Sequence, residues 1–176
     1  LSGLDLCRGE AFGRPLGRQQ RWFHPKLRPF CPAWTGDYPR WKPHNYTPLL
    51  ETLQDSVQTA VRQLGVECTF SGCLVNYYAN GDDHIQPHRD AAHGPHTTVA
   101  ALSLGAVRTM QWRAVPYDVD CPRSLKLRPE ATTVSCALEP GSVLVMAGST
   151  QKHWAHGIAP EPGAGQRWSL TFRECA

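Results

Sequence analysis

Two side chains able to grip a metal ion stand two residues apart in His88-Arg89-Asp90. In an extended segment that spacing puts imidazole and carboxylate on one face, roughly 7 Å apart along the strand. A third ligand must come from a distant segment, and His156 in His153-Trp154-Ala155-His156-Gly157 stands shortly after the apolar run Ser142–Met146. Two imidazoles and one carboxylate on a triangular face leave three positions open, which suits a non-haem Fe(II) oxygenase. These ligands hold Fe(II) without locking its oxidation state, and the open positions admit an oxo acid and then O2. The H-x-D pair alone is a weak signal, because a His beside an Asp more often makes a surface hydrogen bond.

The end of the chain adds a second signal. Arg167 and Arg173 flank Arg167-Trp168-Ser169-Leu170-Thr171-Phe172-Arg173, and in a strand their six-residue separation keeps both on the face that carries Ser169 and Thr171. Guanidinium groups on the inner face of a closing strand need an anion. A dicarboxylate cosubstrate would supply one, clamped by two parallel hydrogen bonds. The plainer alternative is an edge strand with its arginines in solvent.

The segment Val75-Asn76-Tyr77-Tyr78-Ala79-Asn80-Gly81, followed by Asp82 to Asp90, resembles the N-x-Y...H-x-D signature of the AlkB family of Fe(II)/2-oxoglutarate dioxygenases. Gly141–Met146 with His153–Ile158 is similar to that family's distal-histidine segment, and Arg167–Arg173 resembles its R-x-N-L-T-F-R ending. The matches run in order over about Phe70 to Arg173. The resemblance implies a double-stranded β-helix (jelly-roll) and metal binding by the catalytic residues His88, Asp90 and His156. It also implies cosubstrate contacts from Asn76, Tyr78, Arg167, Ser169 and Arg173. Arg167 would take the far carboxylate of 2-oxoglutarate with help from the Tyr78 hydroxyl, while Asn76 and Arg173 would lie nearer the metal-chelating end. With Fe(II), 2-oxoglutarate and O2, the implied activity is oxidative removal of N-alkyl groups from nucleic-acid bases. Two positions depart from the family pattern. Ser169 stands where the family has Asn, and Ala92 stands where repair members carry an acid that reads the alkylated base.

Several elements must position these residues. Thr47-Pro48 reads as an N-cap with proline at the first helical position. Leu49, Leu50, Leu53, Val57, Ala60, Val61 and Leu64 form an apolar face, and Gly65 is the stop. After Gly65 come short β-branched or apolar runs at 72–79, 97–104, 108–112, 132–138, 142–146 and 167–172, with Asn80-Gly81 and Pro140-Gly141 as turns. The class expected is mainly β (α+β), a sandwich or barrel supported by one helix. The stretch 116–129, with three prolines, reads as a surface loop. Residues 1–46 mix aromatic rings and basic groups and are broken by six prolines, so irregular loops and short edge strands are expected there.

That first segment holds eight Lys/Arg against three acids, about +5, in a chain whose net charge is only +3. It reads either as a substrate lid, stacking a ring on a flipped base while arginines hold phosphates, or as rings packed on the sheet. The expected organisation is a single domain over 1–176, with 1–46 as the lid and 47–176 as helix plus β-helix core. Its 176 residues and 41% apolar content suffice for one core. Seven cysteines without a C-x-x-C pair read as reduced thiols in an intracellular monomer. No apolar run is long enough to span a membrane, and Leu1–Glu10 lacks a secretory pattern. Trp154 reads as core or substrate contact, and His84, His93 and His96 as solvent-facing loop residues. Two other readings stay open: the same chemistry on a protein side chain or small molecule, or a silent β-helix serving as a binding module.

Overall fold

The structure is a computed structural model that describes residues 1, 3–11, 13–31, 41–90, 97–116 and 130–174. Twelve strands and two helices follow one another as β1 (Glu10–Ala11), β2 (Arg14–Pro15), β3 (Gln19–Phe23), β4 (Pro43–His44), α1 (Pro48–Gln63), β5 (Gly72–Tyr78), β6 (Ile85–His88), β7 (Val99–Gly105), β8 (Arg108–Ala114), β9 (Thr133–Leu138), β10 (Val143–Met146), α2 (Thr150–His153), β11 (Trp154–Ile158) and β12 (Arg167–Arg173). A six-stranded sheet in the order β10-β7-β12-β5-β3-β4 faces a four-stranded sheet in the order β6-β11-β8-β9, with a cavity lined from both. This is the double-stranded β-helix that the sequence leads one to expect.

Helix α1 starts as its sequence dictates, with Thr47 Oγ1 accepting from Leu50 N at 3.3 Å and proline in the first turn. It supports the outer face of the larger sheet. Leu50, Val57 and Val61 pack with Phe23, Cys73, Val75, Ala100, Leu102, Leu170 and Phe172. The apolar face is narrower than expected, since Leu49 and Leu64 are 48% and 71% exposed. A residue adjacent to a buried one is rotated by about 100° on a helix, which turns it off the contact stripe. On β5 and β12, alternate residues turn inward. Leu74, Asn76 and Tyr78 line the cavity, as do Ser169, Thr171 and Arg173.

Three expectations need correction. Residues 19–23 are neither irregular nor an edge: β3 lies between β5 and β4, and Trp22 is fully buried. The hydrophobic alternation is erased there because the polar residues Gln20 and Arg21 are buried beside the apolar ones. Arg21 Nη2 meets Asp5 Oδ2 at 2.7 Å, and Arg21 Nη1 lies 3.0 Å from His44 Nε2. Strands β6 and β11 were hidden in the sequence by Pro87 and Gly157. Strand β6 tolerates its proline because it lies at a sheet edge. His84 does not face only solvent; its backbone N donates to Gly17 O, and it lines the cavity. The expectations for the rings and basic groups within residues 32–40, for Ala92, His93 and His96, for the loop at 117–129 and for two of the seven cysteines, Cys121 and Cys175, fall outside the described residues.

Cys7, Cys31, Cys68, Cys73 and Cys136 are free thiols. Among the described residues no helix is long and apolar enough to cross a membrane. Replacing Trp22 with alanine is expected to cost about 3–5 kcal/mol, the range for deleting a buried large aromatic. Urea unfolding checks this, and a loss below 1 kcal/mol would mean that residues 19–23 do not belong to the core.

Candidate metal centre

His88 ends β6, and His156 lies directly opposite it on β11. Cross-strand neighbours of this kind share a face, and the two rings have their centroids 4.4 Å apart. Asp90 comes from beyond the end of β6, so strand alternation is not what unites the H-x-D pair. Its Oδ1 lies 3.7 Å from His88 Nε2, and its Oδ2 lies 3.5 Å from His156 Nε2. The three residues offer ligand atoms within 4.8 Å of one another.

The electrostatics keep this set in ligand form. His88 Nδ1 lies 2.9 Å from the Gln86 carbonyl, so this nitrogen carries the hydrogen and Nε2 keeps its lone pair. Burial, reinforced by His156, pushes His88 down to about 3, leaving it neutral at neutral pH. Burial alone would raise the Asp90 carboxyl. The Arg173 guanidinium, 2.9 Å from Oδ1, and the two imidazoles overcome it and hold the carboxyl well below the usual range. Two imidazoles with one ionised carboxylate form the donor set that Fe(II) accepts.

Strand register gathers the residues expected to meet the cosubstrate. On β12 and β5, Arg167 is opposite Tyr78 and Ser169 is opposite Asn76. Arg167 is fully buried with its guanidinium carbon 5.3 Å from the centre of the Tyr78 ring, and Nη2 donates to Ser103 Oγ at 2.9 Å. Its Nε and Nη1 find no hydrogen-bond partner among the described residues. Burial lowers the proton affinity of this guanidinium, with Tyr78 opposing the shift. A buried cation with idle donors fits a carboxylate. Asn76, Tyr78, Ser169 and Arg173 line the cavity itself, whereas Arg167 sits against Tyr78 at its margin.

The cavity holds about 830 Å³. Phe30 and Trp41, stacked with centroids 4.3 Å apart, form part of its wall, as do Leu16, Arg18, Met110 and Met146. Two of the arginines here carry no motif. Arg18 Nε donates to Asn76 Oδ1 at 2.8 Å, holding the amide of a residue expected to meet the cosubstrate. Arg108, fully buried, donates to the carbonyls of Asp83 at 2.9 Å and Ala159 at 2.7 Å, tying the loop before β6 to the loop after β11. The only sign of Arg108 in the sequence is a charge at the start of a short strand-like run. Trp154, half-buried, begins β11 and does not line the cavity.

Residues 14–173 match the family model described as the 2OG-Fe(II) oxygenase superfamily, and the chain belongs to that superfamily. Its expected cofactors are therefore Fe(II), 2-oxoglutarate and O2, and His88, Asp90 and His156 are a group whose ligand atoms lie close enough together to share one ion. Within the superfamily the AlkB resemblance holds. The chain is 28% identical to the mouse alpha-ketoglutarate-dependent dioxygenase alkB homolog 3, over 96% of this chain and 59% of that protein. It is 33% identical to the mouse DNA oxidative demethylase ALKBH2, over 75% of this chain and 52% of that one. The chain thus spans between half and three fifths of these curated relatives. The solved structure of OsALKBH1 shares the fold with a TM-score of 0.63 at 19% identity, covering 94% of this chain and 83% of that one.

Proposed function

We propose that this chain is an Fe(II)- and 2-oxoglutarate-dependent dioxygenase that oxidatively removes N-alkyl groups from damaged or modified nucleic-acid bases. The observation that carries the reading is a 2-His-1-carboxylate set at a cavity whose walls also hold a stacked aromatic pair and Arg18. A relative named DNA oxidative demethylase supports the substrate class. The free thiols found among the described residues fit an intracellular protein, and the proposed oligomeric state is a monomer.

Bound Fe(II), with 2-oxoglutarate and O2, supplies the oxidation that hydroxylates the N-alkyl carbon; succinate and CO2 are released, and the hemiaminal loses formaldehyde. The protein's part is to bind, orient and exclude water. His88, Asp90 and His156 would hold the Fe(II) at the cavity. Arg167 and Tyr78 anchor the far carboxylate of the cosubstrate, and Asn76, Ser169 and Arg173 serve its near end. Phe30 and Trp41 provide a surface on which a flipped base stacks, while Met110, Met146 and Ile158 keep the reacting carbon dry. The exposed Arg14, Lys26 and Arg28 hold phosphates.

Incubation with oligonucleotides bearing different N-methylated bases tests this by mass spectrometry. The expected result is loss of one methyl group per modified base, with formaldehyde and succinate in equal amounts. Phosphate-dominated binding should also weaken steeply as salt rises. No affinity for oligonucleotides even at low salt would overturn the nucleic-acid assignment. Succinate production driven by a peptide or small molecule instead would relocate the same chemistry to that substrate.

A further inference from the structure

We infer that Gln151 is a positioning residue for the metal centre: its side-chain carbonyl fixes the backbone of Asp90 and thereby sets how tightly the site holds its ion. Asp90 lies past the end of β6, where no ladder hydrogen bond of that strand reaches it. Its N–H donates instead to Gln151 Oε1 at 2.9 Å. Gln151 is 2% exposed and belongs to the single-turn α2, four residues long. Its other amide group, Nε2, points to Met146 Sδ at 3.8 Å. The amide is thereby held from both ends, and the carbonyl is the end turned toward Asp90.

A second bond joins the same two segments. Arg89 Nη1 donates to the carbonyl of Lys152, the next residue of α2, at 3.0 Å. Helix α2 runs directly into β11, which carries His156. One short turn of helix therefore ties the aspartate of the H-x-D pair to the strand of the distant histidine. Ligands drawn from two distant segments bind an ion well only when their mutual geometry is set before it arrives, and outer partners of ligands commonly change metal affinity by about 10- to 100-fold. Gln151 touches neither the ion nor the cosubstrate; it acts through Asp90.

This inference rests on the reading of His88, Asp90 and His156 as metal ligands, and the test separates the two. Co(II) titration of the full chain, followed by visible absorption, gives the metal affinity without turnover. Gln151→Met keeps the volume and removes the acceptor, and Gln151→Glu keeps an oxygen where Asp90 N–H needs one. The expected result is Co(II) affinity weakened by about 10- to 100-fold in Gln151→Met and largely restored in Gln151→Glu. 2-Oxoglutarate affinity of the metal-saturated Gln151→Met protein should stay near wild type. Equal Co(II) affinity in wild type and Gln151→Met, or equal weakening in both variants, would overturn the positioning role while leaving the metal site standing. A wild-type chain that takes up no Co(II) would overturn both. Should Gln151→Met fail to fold, amide exchange in the Zn(II)-loaded wild type decides: slow exchange at Asp90 N–H supports the bond, and exchange at the rate of an open loop refutes it.

Discussion

Alanine at His88 is expected to abolish conversion of 2-oxoglutarate to succinate, with a loss of at least about 10³-fold, since the ion's contribution of several kcal/mol to the barrier goes with its ligand. The same loss is expected for Asp90→Ala and His156→Ala, but the three variants differ in what else they disturb. The His88 side chain is 32% exposed, so its removal leaves a small void and a folded protein. Asp90 is the buried partner of Arg173 at 2.9 Å. Its removal strands a guanidinium that is 4% exposed, at a cost of about 3–5 kcal/mol. His88→Ala is therefore the cleaner variant. The measurement is succinate formed by the Fe(II)-loaded protein, with circular dichroism confirming the fold. Succinate production by folded His88→Ala within tenfold of wild type would remove the triad from the reaction.

Arg167→Met is expected to raise the KM for 2-oxoglutarate by about 10- to 100-fold, the equivalent of losing one charge-assisted pair, while kcat changes little. Nε and Nη1 of Arg167 have no protein partner among the described residues, so few bonds are broken when the cosubstrate is absent. Methionine fills most of the volume beside Tyr78 and cannot bind a carboxylate. Steady-state rates at varied 2-oxoglutarate, together with anaerobic binding to the Mn(II)-loaded protein, would show the split. A fall in kcat with KM unchanged would mean that Arg167 organises the cavity wall rather than anchoring the acid.

Both variants bear on residues chosen from spacing and motif before any contact was visible. The Thr47-Pro48 start of α1 was legible for the same reason: a cap is written in neighbouring residues, and its bond spans three positions. The inward face of β12 was legible because alternation in a strand is local. The inner positions 167, 169, 171 and 173 follow from period two, with no knowledge of what lies opposite.

Other features could not be read in this way. Strand alternation does not account for the grouping of the H-x-D pair, because Asp90 lies where the chain has left β6 and not along it. Strand β3 was obscured by Gln20 and Arg21, polar residues that the fold buries. Arg108 and Gln151 carry no motif at all. Each matters through bonds to backbone atoms more than twenty residues away, and backbone atoms leave no mark on composition.

Residue types and short-range periodicity were enough to mark the H-x-D pair, the arginine-bearing final strand, the β-rich class and the capped helix, because each depends on neighbours within a few positions. Tertiary structure alone decided that His88 and His156 lie side by side, that Arg173 rather than solvent neutralises Asp90, and that α2 holds Asp90 in place. Those outcomes depend on strand register and on hydrogen bonds closed across 60 or more residues, and only the folded chain brings such partners together.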